Sequence, residues 1–243
     1  MRYKNLILIG TSHIAKQSLE EVEKTVNAEK PDIIALELDK KRFFALTQKK
    51  TRKIGLNDIK RVGLKGFIFN MIGAWVEKKL GKYVGVKPGS EMLKAIELAK
   101  KNKSKIALID QDIEITLQKL SNVITWKEKW NFIVDILKGV FLRKSELKRF
   151  GIEKLDLTKV PSKTLINKLT CEVKKRYPGV YRVLVEERNE VMALNLSRLM
   201  NENPDKLILA VIGAGHEDEM LKLIKKPEIS YSYQIKDLNK KIL

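Results

Sequence analysis

The sequence predicts an α/β protein with a mostly parallel sheet that is covered by helices and carries helical insertions. Four apolar runs predict the strands, at residues 6–9, 33–38, 106–109 and 207–212. In these runs polar residues do not alternate with apolar ones, as they would in a strand with one exposed face. A segment with helical character follows each run. Continuous apolar strands that alternate with helices are typical of a parallel sheet that is buried on both faces.

The predicted helices separate the strands in a regular order. Residues 18–28 have helical character and end before Pro31, which cannot continue a helix. Further helical segments follow the other three runs, at residues 41–48, 113–120 and 220–224. We therefore expect the four strands to be parallel neighbours in one sheet.

Two stretches interrupt this order, at about residues 51–87 and 118–178. Both predict helical insertions in a single α/β domain that spans residues 1–243. The apolar residues around Trp75 predict core packing, and docking on a membrane or on a partner protein is the alternative.

The composition narrows the class of protein. Hydrophobic residues make up 44% of the chain, which is typical of a globular protein and excludes a disordered one. The single cysteine, Cys171, excludes an internal disulfide framework and suits a reducing compartment. Because the chain has no apolar run of membrane-spanning length and no signal-peptide pattern, we expect a cytoplasmic protein.

The charge is strongly positive, with a formal net charge of +19 at pH 7. Such an excess favours anionic partners, either nucleic acid or a lipid surface. The excess consists mainly of lysines spread over many predicted helices, without the cluster of arginine and aromatic residues expected of a nucleic-acid-binding face. A solvated lysine-rich surface is therefore favoured; an anionic membrane surface is a candidate partner, and nucleic acid is disfavoured.

Ionisable residues follow every predicted strand. In open parallel sheets, ligands bind outside the carboxyl ends of the strands. Both histidines of the chain, His13 and His216, follow predicted strands. The carboxylates at these positions are Glu37, Asp39, Asp110 and Asp112.

The two histidines end similar segments, at residues 6–13 and 209–216. Each segment has an apolar run, a glycine, two small residues and a histidine. Glycine permits a tight turn where a strand meets a helix, and the small residues leave room beside the imidazole. The repeated pattern predicts that both histidines belong to one site, with their imidazoles within about 8 Å of each other. The alternative is that the two histidines follow strands by coincidence.

A carboxylate in a predicted helix near residues 181–200 is a further candidate. Glu187 falls within an apolar stripe, and Arg188 lies at the border of that stripe. A carboxylate on a buried face needs a counter-charge or a cation. A structural Glu187–Arg188 pair and a functional role for Glu187 explain the pattern equally well. The stripe consists of Val180, Val183, Leu184, Val191 and Leu194.

These donors suit a divalent metal ion. Two imidazoles and a carboxylate with one open position suit catalytic zinc, and further carboxylates shift the preference toward manganese. His13, His216 and one of Glu37 or Glu187 would hold the ion, and the other glutamate would be left as a general base. The chain carries neither a Walker A loop nor a dinucleotide-binding glycine fingerprint.

Six motifs, in order along the chain, resemble the TraB/PrgY family, the pheromone-shutdown group that is related to the Tiki and GumN proteins. The motifs are Gly-Thr-Ser-His at 10–13, Glu-Leu-Asp-Lys-Lys-Arg at 37–42, Lys-Pro-Gly-Ser-Glu-Met at 87–92, Leu-Ile-Asp-Gln-Asp-Ile at 108–113, Glu-Arg-Asn at 187–189 and Gly-Ala-Gly-His at 213–216.

The resemblance implies a metal-dependent peptidase or hydrolase with both Gly-x-x-His motifs at its site. Tiki relatives are proteases of the Wnt pathway, and the bacterial namesakes limit peptide-pheromone activity. We therefore expect a peptide or small-molecule substrate, with Arg188 and Asn189 steadying the substrate or an oxyanion. Two positions depart from the family pattern, because Gln111 and Lys119 stand where the family tends to have arginine.

A different class of function is the alternative. Family members commonly carry hydrophobic C-terminal helices, which implies a non-catalytic, membrane-associated regulatory or binding protein that is attached through a C-terminal region absent from this chain. A homo-oligomer is also compatible with the sequence.

Overall fold

A five-stranded sheet lies at the centre of the structure, a computed structural model that describes residues 1–12, 16–48, 89–141 and 162–226. The strands in these residues are β1 (Arg2–Tyr3), β2 (Leu6–Thr11), β3 (Ile33–Leu36), β4 (Lys105–Leu108) and β5 (Ile208–Gly213). The helices are α1 (Lys16–Glu29), α2 (Lys40–Thr47), α3 (Ser90–Asn102), α4 (Ile113–Val123), α5 (Trp126–Phe141), α6 (Lys163–Arg176), α7 (Pro178–Tyr181), a π-turn (Arg182–Glu186), α8 (Glu187–Glu202) and α9 (Glu217–Lys225).

The sheet has the strand order β1-β2-β5-β3-β4. The four predicted strands run parallel to one another, and β1 pairs antiparallel with β2 at one edge. In the register of the centre, Ile208 of β5 lies opposite both Leu6 of β2 and Ile33 of β3. The predicted fold class is therefore confirmed, as is the expectation that the four strands share one parallel sheet.

Helices cover both faces of the sheet, which explains the continuous apolar runs. Alternate residues of β2 enter two different hydrophobic clusters, so that neither face can be polar. Each fully buried aliphatic side chain contributes about 1.5–3 kcal/mol of hydrophobic stabilisation. From α8 and α9, one cluster takes Met192, Ala193, Leu196, Met200, Met220 and Ile224. From α1 and α3, the other takes Val22, Val26, Met92, Ala95, Ile96, Leu98 and Ala99.

The two predicted insertions differ in what the structure describes of them. The first, at about residues 51–87, lies outside the described residues. Within the second, at about 118–178, the described residues form the end of α4 and the helices α5, α6 and α7. A small third cluster joins α4 to the π-turn, with Leu120, Ile124 and Val183 at its centre. That the whole chain is one domain stays a prediction.

A buried carboxylate connects α5 to α7. Glu128 is 2% exposed, and its carboxylate accepts hydrogen bonds from the Thr125 amide (2.9 Å), the Thr125 hydroxyl (2.9 Å) and the amides of Gly179 (2.7 Å) and Val180 (3.2 Å). A Cβ atom added to Gly179 would lie 2.8 Å from the Val123 side chain and 3.0 Å from a Glu128 carboxylate oxygen. The close approach of the two helices therefore requires glycine at this position.

In the described part of the chain, no helix is both long enough and apolar enough to cross a membrane.

Replacing Glu128 with glutamine should destabilise the protein and alter its response to acid. Burial alone would raise the pKa of Glu128, but the hydrogen bonds from Thr125, Val180 and Gly179 outweigh it and hold the pKa below its ordinary value of 4.5. A lowered pKa stabilises the fold at pH values above the ordinary pKa, and this contribution disappears as the pH falls through the folded-state pKa. Glu128→Gln should cost about 1–3 kcal/mol near pH 7.

Denaturant unfolding between neutral pH and pH 3 measures this effect. The difference in unfolding free energy between the two proteins should shrink as the pH falls below about 4.5. A constant difference across that range would contradict the ionised state assigned to Glu128.

Candidate functional site

Glu37 lies at the carboxyl end of β3, an inner strand of the sheet. Its side chain is 4% exposed, and one carboxylate oxygen, Oε2, accepts a hydrogen bond from the Gly213 amide (2.6 Å) at the end of β5. Because β3 and β5 are adjacent, the carboxylate joins the ends of two neighbouring strands. A buried carboxylate at this position requires further compensation of its charge.

Arg188 of α8 supplies that compensation. Its Nη2 group donates to Glu37 Oε1 and to Asp110 Oδ2 (2.6 Å), and its Nε group donates to Asp110 Oδ1 (3.1 Å). Burial would lower the pKa of the Arg188 guanidinium, but the carboxylates of Glu37 and Asp110 raise it above its ordinary value. Arg188 therefore holds a permanent charge and links α8 to the ends of β3 and β4.

Arg42 extends this network toward α2. Asp39 caps the start of α2 by accepting hydrogen bonds from two backbone amides, and its other oxygen accepts from Arg42 Nε (2.7 Å). Arg42 Nη2 donates to Asp110 Oδ2, the same oxygen that accepts from Arg188. The three carboxylates of this network outnumber its two guanidinium groups, so its formal charge is −1.

His216 follows β5 and stands directly before α9. Its Nδ1 atom lies 2.5 Å from Oδ1 of Asn189, a residue that is 1% exposed. Since an amide oxygen only accepts, Nδ1 carries the proton of this contact. The other ring nitrogen, Nε2, lies 3.5 Å from Glu37 Oε1.

The turns that carry the two predicted histidines lie side by side. The Ala214 amide donates to the Thr11 carbonyl (2.8 Å), and the Thr11 hydroxyl donates to the Ile212 carbonyl (3.0 Å). A Cβ atom on Gly10 would lie 3.0 Å from Ala214 Cα, so the turns touch where glycine was predicted. His13 itself lies outside the described residues, and the distance between the imidazoles stays a prediction.

The second turn contains a glycine that the turn does not require. A Cβ atom added to Gly215 would meet no atom within 4 Å, and its backbone does not adopt the left-handed conformation. Gly215, which directly precedes His216, is therefore exposed and could carry a side chain.

Two donors of the predicted metal set are close together. Two ligands at about 2.0–2.2 Å from one tetrahedral ion are about 3.4 Å apart, which matches the separation of His216 Nε2 and Glu37 Oε1. No group of three or more candidate ligands occurs among the residues that the structure describes. The third predicted donor, His13, lies outside those residues.

Glu187 occupies a different environment from Glu37. Its carboxylate pairs with Lys119 Nζ (2.7 Å) and Arg182 Nε (3.4 Å), and its side chain is 25% exposed. The predicted Glu187–Arg188 pair is absent from the ion pairs of the described residues, where Arg188 pairs with Glu37 and Asp110. Glu187 thus faces Lys119, at one of the positions that depart from the family pattern.

The π-turn explains why the predicted apolar stripe was wrong at Leu194, which is 50% exposed. The Glu187 amide donates to the carbonyl of Arg182, five residues back, so the turn contains one residue more than an α-helical turn. The extra residue rotates the following helix relative to a constant period of 3.6. The buried face of α8 therefore consists of Asn189, Met192, Ala193, Leu196 and Met200.

Arg42 belongs to this network but was not predicted as a site residue. A signal was present, since Arg42 stands three residues after Asp39 at the start of a helix. Residues three apart on a helix can form an ion pair. The contact with Asp110, 68 positions away, was not predictable from that spacing.

Replacing Arg188 with methionine should destabilise the fold by about 3–5 kcal/mol, because the buried Glu37 carboxylate would lose its arginine partner and Asp110 would keep only Arg42. Denaturant unfolding measures the loss. Arg198→Met, on the same helix but outside the network, is the matched control and should change stability by less than about 0.5 kcal/mol. Equal small losses in both variants would contradict a central role for the Arg188 network.

Replacing Glu187 with glutamine should have a small effect, of about 0–1 kcal/mol, because its partner Lys119 is 44% exposed and solvent weakens the pair. Thermal unfolding with and without added Zn²⁺ or Mn²⁺ measures this effect and any change in metal stabilisation. A loss on the scale of a broken buried pair would show that Glu187 is structural. A loss of metal stabilisation alone would make Glu187 a ligand.

The chain is similar to one protein family and to several known proteins. The model of the TraB/PrgY/gumN family matches residues 3–231. The chain is 40% identical over 238 residues to "Uncharacterized protein MJ1365" of Methanocaldococcus jannaschii, covering 97% of this chain and 57% of that protein. It is 23% identical over 233 residues to the "TraB domain-containing protein" of mouse and of human, covering 86% of this chain and 60% of each relative. The chain thus spans less than two thirds of the length of these relatives. The family match covers nearly the whole chain, and the chain therefore belongs to the TraB/PrgY/gumN family.

Proposed function

We propose that the protein is a metal-dependent hydrolase with a peptidase-like activity, and that its site lies at the carboxyl ends of β3 and β5. One observation carries the proposal. His216 Nε2 lies 3.5 Å from Glu37 Oε1, while Nδ1 of the same ring is held by the buried Asn189. A metal-bound histidine characteristically donates its second ring N–H to a fixed acceptor, which orients the ring.

The donor set fits a divalent cation such as Zn²⁺ or Mn²⁺. His216 and Glu37 would hold the ion together with His13, and the network that includes Glu37 has a formal charge of −1. When bound, such an ion lowers the pKa of a water molecule and polarises a substrate carbonyl.

The protein's own residues have distinct tasks in this proposal. Arg188 donates to Glu37 and Asp110 and thereby fixes the Glu37 carboxylate, so it is a positioning residue. Asn189 orients His216 through Oδ1. Its Nδ2 group is buried and has no hydrogen-bond acceptor in the described part of the chain, which leaves a donor for a substrate carbonyl or an oxyanion.

A general base is the remaining requirement. If Glu37 is a ligand, the other predicted carboxylate, Glu187, would act as the general base. The ion pair between Glu187 and Lys119 would then have to open. The exposed Gly215, directly before His216, carries no side chain that would obstruct a substrate there. A peptide is the substrate that the family resemblance favours, and a small molecule is the alternative.

Metal binding and turnover test the proposal on untagged protein. Isothermal titration with Zn²⁺ and Mn²⁺ should show one site, and Glu37→Gln and His216→Ala should each weaken it by about tenfold or more. Glu219→Gln is the matched control, because Glu219 is an exposed carboxylate on α9 that pairs with Lys222. Incubation of the metal-loaded protein with a mixture of peptides, followed by mass spectrometry, should reveal cleavage that both site variants lose.

Two results would contradict the proposal. Equal metal affinity of the wild type and both site variants would remove the assigned site. Tight, site-dependent metal binding with no turnover of any peptide would exclude the peptidase activity and support a binding protein.

A further inference from the structure

The polar side of helix α5 faces the protein, whereas a surface helix usually turns its polar side to solvent. Glu128 is 2% exposed and bonds to Gly179 and Val180. One turn further, Asn131 Nδ2 donates to the Arg176 carbonyl (3.1 Å). The Asp135 carboxylate accepts two hydrogen bonds from Arg176 (2.5 Å each) and one from the Tyr177 hydroxyl (2.6 Å). Residues that a surface helix usually presents to water thus fasten α5 to α6 and α7.

The opposite side of α5 presents two tryptophans to solvent. Trp126 is 83% exposed and Trp130 is 67% exposed. Because they are four residues apart, they lie on the same face of the helix. Two large apolar side chains this exposed on one face exceed the scattered exposure that is normal for a soluble surface.

The charges around these tryptophans are positive. Lys127 is exposed at one flank of the pair, and Lys129 Nζ lies 3.9 Å from the centre of the Trp126 ring at the other. The acidic residues of this part of the helix, Glu128 and Asp135, are engaged in the contacts with α6 and α7. The outward side of α5 is therefore aromatic and cationic.

We propose that this face of α5, defined by Trp126, Lys127, Lys129 and Trp130, docks on the surface of an anionic lipid bilayer with the helix parallel to the membrane plane. Tryptophan rings settle at the boundary between headgroups and acyl chains, where an apolar body and a polar N–H are both accommodated. The lysines contribute attraction to anionic headgroups, and the net charge of +19 contributes at longer range.

Other occupants fit this face less well. A second copy of the chain carries the same charge of +19 and the same lysines, so the two copies would repel each other. Single-stranded nucleic acid could stack on the tryptophans, but among the described residues Arg176, an arginine that contacts this helix, is engaged with Asp135 on the inward side. A lipid surface satisfies both the aromatic and the cationic groups.

This inference is independent of the proposed function, since it uses none of the metal-site residues. Sedimentation of the full chain with phosphatidylcholine vesicles, with and without phosphatidylserine, tests it. We expect binding that requires phosphatidylserine, weakens at high ionic strength and shifts tryptophan emission to shorter wavelength. Trp126→Ser/Trp130→Ser should bind about tenfold or more weakly. Lys127→Glu/Lys129→Glu should also weaken binding.

The matched control is Leu194→Ser/Val173→Ser, which removes two exposed apolar residues from other helices, 50% and 42% exposed, and should bind vesicles like the wild type. Circular dichroism establishes that every variant is folded. Wild-type affinity in the double tryptophan variant, or equal binding to neutral vesicles, would overturn the proposal. So would tryptophan-dependent binding of an oligonucleotide in place of vesicles, or a tryptophan-dependent dimer in sedimentation without vesicle binding.

Discussion

The position of the buried Arg188 guanidinium determines the geometry of the rest of the site. Through Arg188, a helix outside the sheet is tied to the ends of β3 and β4, and Glu37 in turn contacts the end of β5. A network of this kind adds little net stability over apolar packing, because desolvation offsets most of the attraction between the charges. Its value is geometric, since it holds Glu37 and Asn189 in fixed positions relative to His216.

Much of the fold was predictable because hydrophobic burial dominates it. The strands of the sheet are short apolar runs, and both core clusters draw on them. The edge strand β1 was not predicted, because two residues are too few to show a period. The helix α3 was not predicted either, although Met92, Ala95, Ile96 and Ala99 recur in it at helical spacing.

The site was partly predictable for a topological reason. In a parallel sheet, residues that follow different strands gather at one edge, so Glu37 and His216 could be placed together from their positions alone. Pairing between distant residues is not encoded in local periodicity. Arg188 meets Asp110 across 78 positions, and a pattern within α8 cannot indicate that contact. The environment of Glu187 was missed because a constant helical period was assumed through the π-turn.

The π-turn has a consequence for how this helix can change in length. A continuous helix from Pro178 to Glu202 normally tolerates no insertion or deletion, because a single residue rotates everything beyond it by about 100°. The π-turn already contains one residue more than an α-helical turn. Before it, Gly179 contacts Glu128, and after it, Asn189 contacts His216. Losing one residue within Arg182–Glu186 would convert that turn to an ordinary α-helical one while both flanks keep their orientation. In alignments of relatives, a single-residue gap is therefore tolerable within these five positions, whereas elsewhere in the helix it would disrupt one of the two contacts.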